Sequence, residues 1–334
     1  MIDYFFILVI SLSFIFVFFH NKVKNLINIY NYPKIEDKTE INKIPITGGI
    51  LFFVNILLYS IFIFFLYSKN INIVDNSIIF RNFKDFIIFN FAVISFFCVG
   101  FFDDKYNLSP NYRLFLFSLI SYILISIDNS LVIKSINFDN FSLEIFFGNF
   151  SLAFTILCVL IFVNAYNMLD GINGFSSIYL IIFCAFLIFK NNEILMPKVI
   201  MLVCFFNLYL NLIGKSFMGN NGSYLLALLC SYLSIKYHLL GYLDEESIIV
   251  LMALPVTDLI RVSFFRVING KHPFKGDKNH IHHLLFNKFN LFITLLILTI
   301  LILLPIFINV FYSSFIFSII IFFIFYFFII FKYR

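Results

Sequence analysis

The feature that most constrains this chain is a succession of eleven apolar runs, over 4–19, 48–67, 86–102, 112–127, 151–169, 172–189, 194–213, 223–237, 247–268, 291–311 and 312–331. About 20 apolar residues in a helix cross a bilayer, and inside hydrocarbon only a helix satisfies its own backbone hydrogen bonds within one segment. Of 334 residues 62% are hydrophobic and 12% charged, against about 45–50% and about 25% in soluble domains. A soluble globular protein is therefore excluded. The expected fold class is an all-α integral membrane protein of about eleven transmembrane helices, forming a single polytopic membrane domain over 1–334. The last two runs are divided by only Tyr312, Ser313 and Ser314. Ahead of the first run stands Asp3, with neither a basic flank nor a small-residue cleavage site, so that run reads as a retained helix rather than a signal peptide. Five cysteines without a CxxC pair suggest neither a disulfide framework nor a zinc site.

Sixteen of the 23 Lys and Arg fall in the odd-numbered loops and the C-terminus, counting Arg113, Arg261 and Arg266 at adjoining helix ends. By the positive-inside rule those loops and the C-terminus are cytoplasmic and the N-terminus is outside. The net charge of +5 is dispersed rather than gathered in a stripe, so no nucleic-acid partner is expected. In the segment 128–150, Val132, Ile133, Ile136, Phe138 and Phe141 alternate with polar residues, the pattern of a short external β-hairpin.

Nearly every unusual polar cluster lies in an odd loop, and so on one face of the membrane. The first loop runs DKTEINKIPITGGI, where Pro45 stops the approach and Gly48 and Gly49 permit close backbone contact. The third opens with Asp103 and Asp104 directly after an apolar helix. Adjacent carboxylates at that depth repel and call for a cation, although a solvated helix end is the plain alternative. In the fifth, NAYNMLDGINGF sets Asn164, Asn167 and Asp170 on roughly one helical face, ahead of Gly171, Asn173 and Gly174. The seventh reads GKSFMGNNGS, whose glycines leave backbone amides open to phosphate without forming a Walker motif. The ninth holds His280, His282 and His283 within four residues, near Lys271, Lys275 and Lys278. Such a tract suits either a metal or a diphosphate. Just before it, Asp258 and Arg261 have the spacing of an i, i+3 ion pair.

In this order and spacing, PxxGG, DD, NxxNxxDGxxG, FMGxxGS and HxHH resemble the polyprenyl-phosphate N-acetylhexosamine-1-phosphate transferase family, over roughly residues 30–285. That family includes the phospho-N-acetylmuramoyl-pentapeptide transferase of peptidoglycan synthesis and the enzymes that begin O-antigen, enterobacterial common antigen and teichoic acid assembly. The resemblance implies a cytoplasmic active-site face in the bacterial inner membrane. It further implies transfer of a phospho-sugar from a UDP-N-acetylhexosamine to a polyprenyl phosphate such as undecaprenyl phosphate, releasing UMP. Magnesium is the implied cofactor, with manganese as its substitute. The histidine arrangement resembles the branch using UDP-N-acetylglucosamine more than the peptidoglycan branch.

Carried over, Asp103, Asp104 and Asp170 match the catalytic aspartates, and Asp104 and Asp170 with Asn220 the metal ligands. Phe217 matches the aromatic residue near the uracil, while His280, His282 and His283 match the tract near the nucleotide phosphates. Lys43, Asn164, Asn167 and Asn173 complete the substrate-binding candidates. The family usually has aspartates where this chain has Asn173 and Asn220. An amide oxygen ligates magnesium without adding negative charge, so weaker metal binding is expected. An impaired homologue that only binds nucleotide sugar, and a lipid or solute transporter, remain the alternatives. Oligomeric state is open between monomer and homodimer.

Overall fold

The computed structural model describes residues 2–27, 29–31, 44–69, 79–138, 143–270 and 278–333. Among them the chain forms thirteen α-helices: α1 (Ile2–Phe18), α2 (His20–Ile27), α3 (Gly48–Ser68), α4 (Phe83–Tyr106), α5 (Pro110–Ile127), α6 (Ser151–Leu169), α7 (Phe175–Lys190), α8 (Leu195–Leu212), α9 (Gly219–Leu239), α10 (Glu245–Ile268), α11 (Ile281–Phe286), α12 (Leu291–Tyr312) and α13 (Phe315–Tyr333). A helix stands at each of the eleven apolar runs. Eight helices are long and apolar enough to cross a membrane, and a ninth crossing results if α1 and α2, bent by 74°, are one span. The 16-residue α7 is shorter, and α9 carries Asn220, Asn221, Lys236 and His238. The protein is an all-α integral membrane protein. Phe292, Phe328 and Phe331 are among many large apolar side chains left exposed on its helices, as a lipid solvent requires.

Helix ends follow local chemistry. Asn82 starts α4 by accepting from the Asp85 N–H at 2.8 Å, and Asp244 and Asn290 cap α10 and α12 in the same way. At the far end of α4, Asn107 takes the left-handed conformation that halts a helix. Ser313 does the same between α12 and α13, at the polar break read from the sequence. Strands β1 (Tyr30–Asn31) and β2 (Ile44–Pro45) pair antiparallel, as do β3 (Ser135–Phe138) and β4 (Leu143–Phe146). The second pair forms within the segment read as a hairpin; Phe141 lies outside the described residues.

Two compact units, each discontinuous in sequence, make up the chain. The first comprises Met1–Ser109 and Leu180–Leu226, where α3 packs on α1, α4 and α8. Pro110–Tyr179 and Ala227–Arg334 form the second, centred on α10 with α6, α12 and α13 against it. Both α7 and α9 have residues in each unit.

In the second unit the Lys236 ammonium donates to Asp128 Oδ2 at 2.6 Å and to Ser130 Oγ at 3.0 Å, and both charged side chains are buried. Removing one partner of such a pair strands the other charge away from water. Lys236→Met is expected to destabilise the protein by about 3–5 kcal/mol, and adding Asp128→Asn to recover most of that loss. Thermal unfolding of the single and double variants in detergent measures both.

Candidate active site

In the first unit the site grows from the C-terminal turn of α4, where the helix's own dipole opposes a carboxylate. Asp104 finds its compensation in a second helix. Its Oδ1 accepts from the backbone N–H of Asn220 at 2.9 Å and its Oδ2 from that of Asn221 at 3.0 Å, in the first turn of α9. Unpaired N–H groups and the positive end of a helix dipole favour a carboxylate there. Asp103 turns elsewhere. It is 2% exposed and accepts from the Tyr224 hydroxyl at 2.9 Å. The two adjacent aspartates are thus held by different partners. Gly219 permits the close approach to Asp104: its φ is +73°, and an added Cβ would lie 2.0 Å from Ile46 Cγ2 and 2.9 Å from Asp104 Oδ2.

The PxxGG end of the first loop is hydrogen-bonded to the seventh loop. Phe217 N–H donates to the Pro45 carbonyl at 3.0 Å, Gly48 N–H to the Phe217 carbonyl at 2.9 Å, and Gly49 N–H to the Met218 carbonyl at 3.1 Å. A Cβ on Gly49 would fall 2.5 Å from Gly222 Cα, which is why the start of α3 carries a glycine pair. Thr47 Oγ1 lies 2.9 Å from His20 Nε2 and 2.6 Å from Ser216 Oγ, tying α2 to the same strap. Lys43 lies outside the described residues.

In the second unit Asp170 closes α6, with its Oδ1 accepting from Ser176 Oγ at 2.7 Å. Asn164 bonds back to the Leu160 carbonyl at 2.7 Å, and Asn167 offers its carbonyl to the Asp170 N–H. Asn173 sits half-buried in the turn before Gly174. The turn abuts the histidine tract: a Cβ on Gly171 would lie 2.1 Å from His282 Nε2 and 3.0 Å from His283 Nε2. His282 is 1% exposed, and neither ring nitrogen has a hydrogen-bond partner among the described residues. Burial, then the neighbouring His283, hold its pKa well below the ordinary histidine value. His280 is engaged on both sides, by Asp258 at 2.8 Å on Nδ1 and by Arg266 at 3.3 Å on Nε2. Beside Asn164 opens a cavity of about 380 Å³ lined by Leu114, Phe115, Leu157, Leu160 and Ile161.

The structure therefore places Asp104, Asn220 and Phe217 in one cluster beside the buried Asp103, and Asp170 next to the loop that meets His282 and His283. Tyr224, the backbone amide of Asn221 and the extent of the Asp258 network escape a reading of the sequence, because each contact joins segments far apart in the chain. Among the described residues no three or more His, Cys, Asp or Glu side chains stand together as a metal site. Asp104 and Asp170 carboxylates and the Asn220 amide are hard oxygen donors, the kind magnesium takes together with substrate phosphates and water.

Residues 86–238 match the sequence pattern of glycosyl transferase family 4. Over that stretch the chain is similar to that family. Asp103, Asp104, Asp170, Phe217 and Asn220 lie within the match, and the histidine tract lies beyond it. An undecaprenyl-phosphate alpha-N-acetylglucosaminyl 1-phosphate transferase of Yersinia pestis is 26% identical over 200 residues, 56% of this chain and 54% of the relative. Against that relative the chain spans about half the length. The Escherichia coli O157:H7 protein of the same name is 23% identical over 294 residues, 81% of this chain and 72% of the relative. A phospho-N-acetylmuramoyl-pentapeptide-transferase of Prochlorococcus marinus is 32% identical over 247 residues, covering 66% and 64%.

Two outcomes follow from this geometry. Gly219→Ala forces a left-handed backbone on a residue with a Cβ, costing about 1–2 kcal/mol before the clash with Ile46 is counted; a fall in melting temperature larger than that backbone cost is expected. Folded His282 resists a proton that the unfolded chain accepts below about pH 6.5, so stability is lost as pH falls through that value. His282→Gln should flatten this acid limb in melting curves recorded between pH 8 and pH 5.5.

Proposed function

We propose that the protein transfers N-acetylhexosamine 1-phosphate from a UDP-sugar to a polyprenyl phosphate, yielding polyprenyl diphosphate sugar and UMP. The reading is carried by one observation: Asp104 of the aspartate pair is hydrogen-bonded to the FMGNNG turn, where Asn220 stands. The activities for which the relatives are named agree with it. Donor and acceptor are both anionic, so charge neutralisation and alignment dominate the chemistry.

Asp103 orients the acceptor phosphate and takes its proton. An acceptor oxygen then attacks the β-phosphorus of the donor; the new P–O bond forms as the bond from that phosphorus to the bridging oxygen breaks, and UMP leaves with the electron pair. Asp104 and the amide of Asn220, with Asp170 as the further oxygen ligand the family resemblance implies, would hold magnesium, and the ion would supply neutralisation of the donor diphosphate. Phe217 packs on the uracil, while Asn164, Asn167 and Asn173 supply nucleoside and sugar hydrogen bonds. His282 and His283 bind the phosphates. The apolar cavity beside Asn164 suits an isoprenoid chain. In this reading the enzyme sits in the bacterial cytoplasmic membrane with its N-terminus outside and its C-terminus in the cytoplasm, and starts a cell-surface glycan such as cell-wall polymer or lipopolysaccharide.

Purified protein given UDP-N-acetylglucosamine, undecaprenyl phosphate and magnesium should release UMP, and EDTA should stop it. Asp103→Asn, Asp104→Asn and Asp170→Asn are each expected to lower turnover at least ~100-fold with folded protein retained. Near-normal turnover in all three removes the mechanism. Asn220→Asp restores a carboxylate and is expected to lower the magnesium concentration for half-maximal release by ~10-fold. If the natural protein is silent at every magnesium level and Asn220→Asp is active, the protein is a lost enzyme.

A further inference from the structure

Behind the histidine tract lies a buried polar chain that runs back to the last helix. Asp258, in α10, is 3% exposed. On Oδ1 it accepts from Arg261 Nη2 at 2.6 Å and from the Tyr326 hydroxyl at 2.8 Å, on Oδ2 from His280 Nδ1 at 2.8 Å, and from the Ile281 N–H at 3.3 Å on both. Arg261 also donates from Nε to the Tyr326 oxygen at 2.6 Å and from Nη2 to the Asn279 carbonyl at 2.7 Å, so its guanidinium locks α10 to α13 and to the approach to α11. Across the imidazole, Arg266 Nη2 stands 3.3 Å from His280 Nε2.

These partners decide the state of the ring. A carboxylate only accepts and a guanidinium only donates. His280 satisfies both as the neutral imidazole with its proton on Nδ1, and in no other form. A charged ring would point an Nε2–H at Arg266. With both nitrogens used inside the protein, His280 has no donor to spare for a phosphate. It does have a face: its ring lies parallel to that of His282, 5° between planes and 5.6 Å between centroids. His282, whose ring nitrogens have no partner among the described residues, comes nearer to Gly171 than His283 does.

We propose that His280 is a positioning residue and not a phosphate ligand: Asp258, clamped by Tyr326 of the last helix, fixes its Nδ1–H tautomer, and the ring holds Arg266 and His282 in place. The family resemblance puts all three histidines alike near the nucleotide phosphates. The substrate side of this proposal rests on the transferase reading above; the state of the ring does not.

The test uses full-length protein labelled with 15N-histidine, the His280 signal being identified by its loss in His280→Gln. An Nδ1-protonated neutral ring is expected, unmoved by saturating UMP and magnesium while the His283 signal shifts. Asp258→Asn sets an amide N–H against His280, and should drive the proton to Nε2 and lower kcat roughly 10- to 100-fold, with a smaller change in KM for UDP-N-acetylglucosamine. Tyr326→Phe, which removes the donor to Asp258 and the acceptor of Arg261 Nε with little change of shape, should lower kcat roughly 3- to 10-fold. An imidazolium or an Nε2-protonated ring overturns the proposal whether or not the protein is active, and in an active enzyme so does a His280 signal that moves with UMP as far as that of His283. The expected ring without any UMP release keeps the Asp258–His280–Arg266 assignment and overturns the transferase reading instead.

Discussion

One carboxylate against one helix N-terminus organises the polar face of the first unit. Asp104 ends α4, where its own helix disfavours it, and is compensated by the backbone amides of Asn220 and Asn221 in the first turn of α9. That bond dictates what surrounds it. Gly219 must lack a side chain for the turn to reach the carboxylate, and Gly100 lets α4 and α9 close together, since a Cβ there would lie 2.5 Å from the Asn220 carbonyl oxygen. The PxxGG strap then grips the preceding residues by backbone bonds on both sides of Phe217. Asparagine at position 220 keeps this arrangement intact, because the contact to Asp104 is made by its backbone. A carboxylate can be lost from that side chain without loss of the fold.

The second unit solves a different problem, that of charges taken out of water. Lys236 is paired with Asp128, and Arg261 with Asp258, each within 2.6 Å. Buried ion pairs are tolerated when their remaining hydrogen-bonding capacity is used. Asp258 uses all of it, on a tyrosine, an arginine, a histidine and a backbone amide. His282 differs from these, because neither of its buried ring nitrogens has a hydrogen-bond partner among the described residues, as is also true of the Ser121, Ser234 and Thr294 hydroxyls.

Local pattern and distant contact were unequally legible. Each apolar run became a helix, the 312–314 break fell between α12 and α13, and the alternating segment after 128 paired as strands. The glycine pair after Pro45 was read as a point of close backbone approach, and the structure supplies the other side of it at Met218 and Gly222. Asp258 and Arg261 were read as a pair within one helical turn. That pair exists, yet it is the smaller part of a network whose other members arrive from α11 and α13.

Hydropathy is a property of a window of about 20 residues, and a helix in lipid closes its own hydrogen bonds within that window. The sequence by itself therefore determined that this is a helical membrane protein, where its helices run, and which loops carry its polar motifs. Which polar groups meet was decided only by tertiary structure. Asp104 and Asn220 are separated by 116 residues, Asp103 and Tyr224 by 121, and Tyr326 and Asp258 by 68. No helical or strand period relates positions so far apart; their contact follows from how α4, α9, α10 and α13 pack within their units. For the same reason three histidines in four residues look equivalent in the sequence, and differ once Asp258 and Arg266 claim one of them.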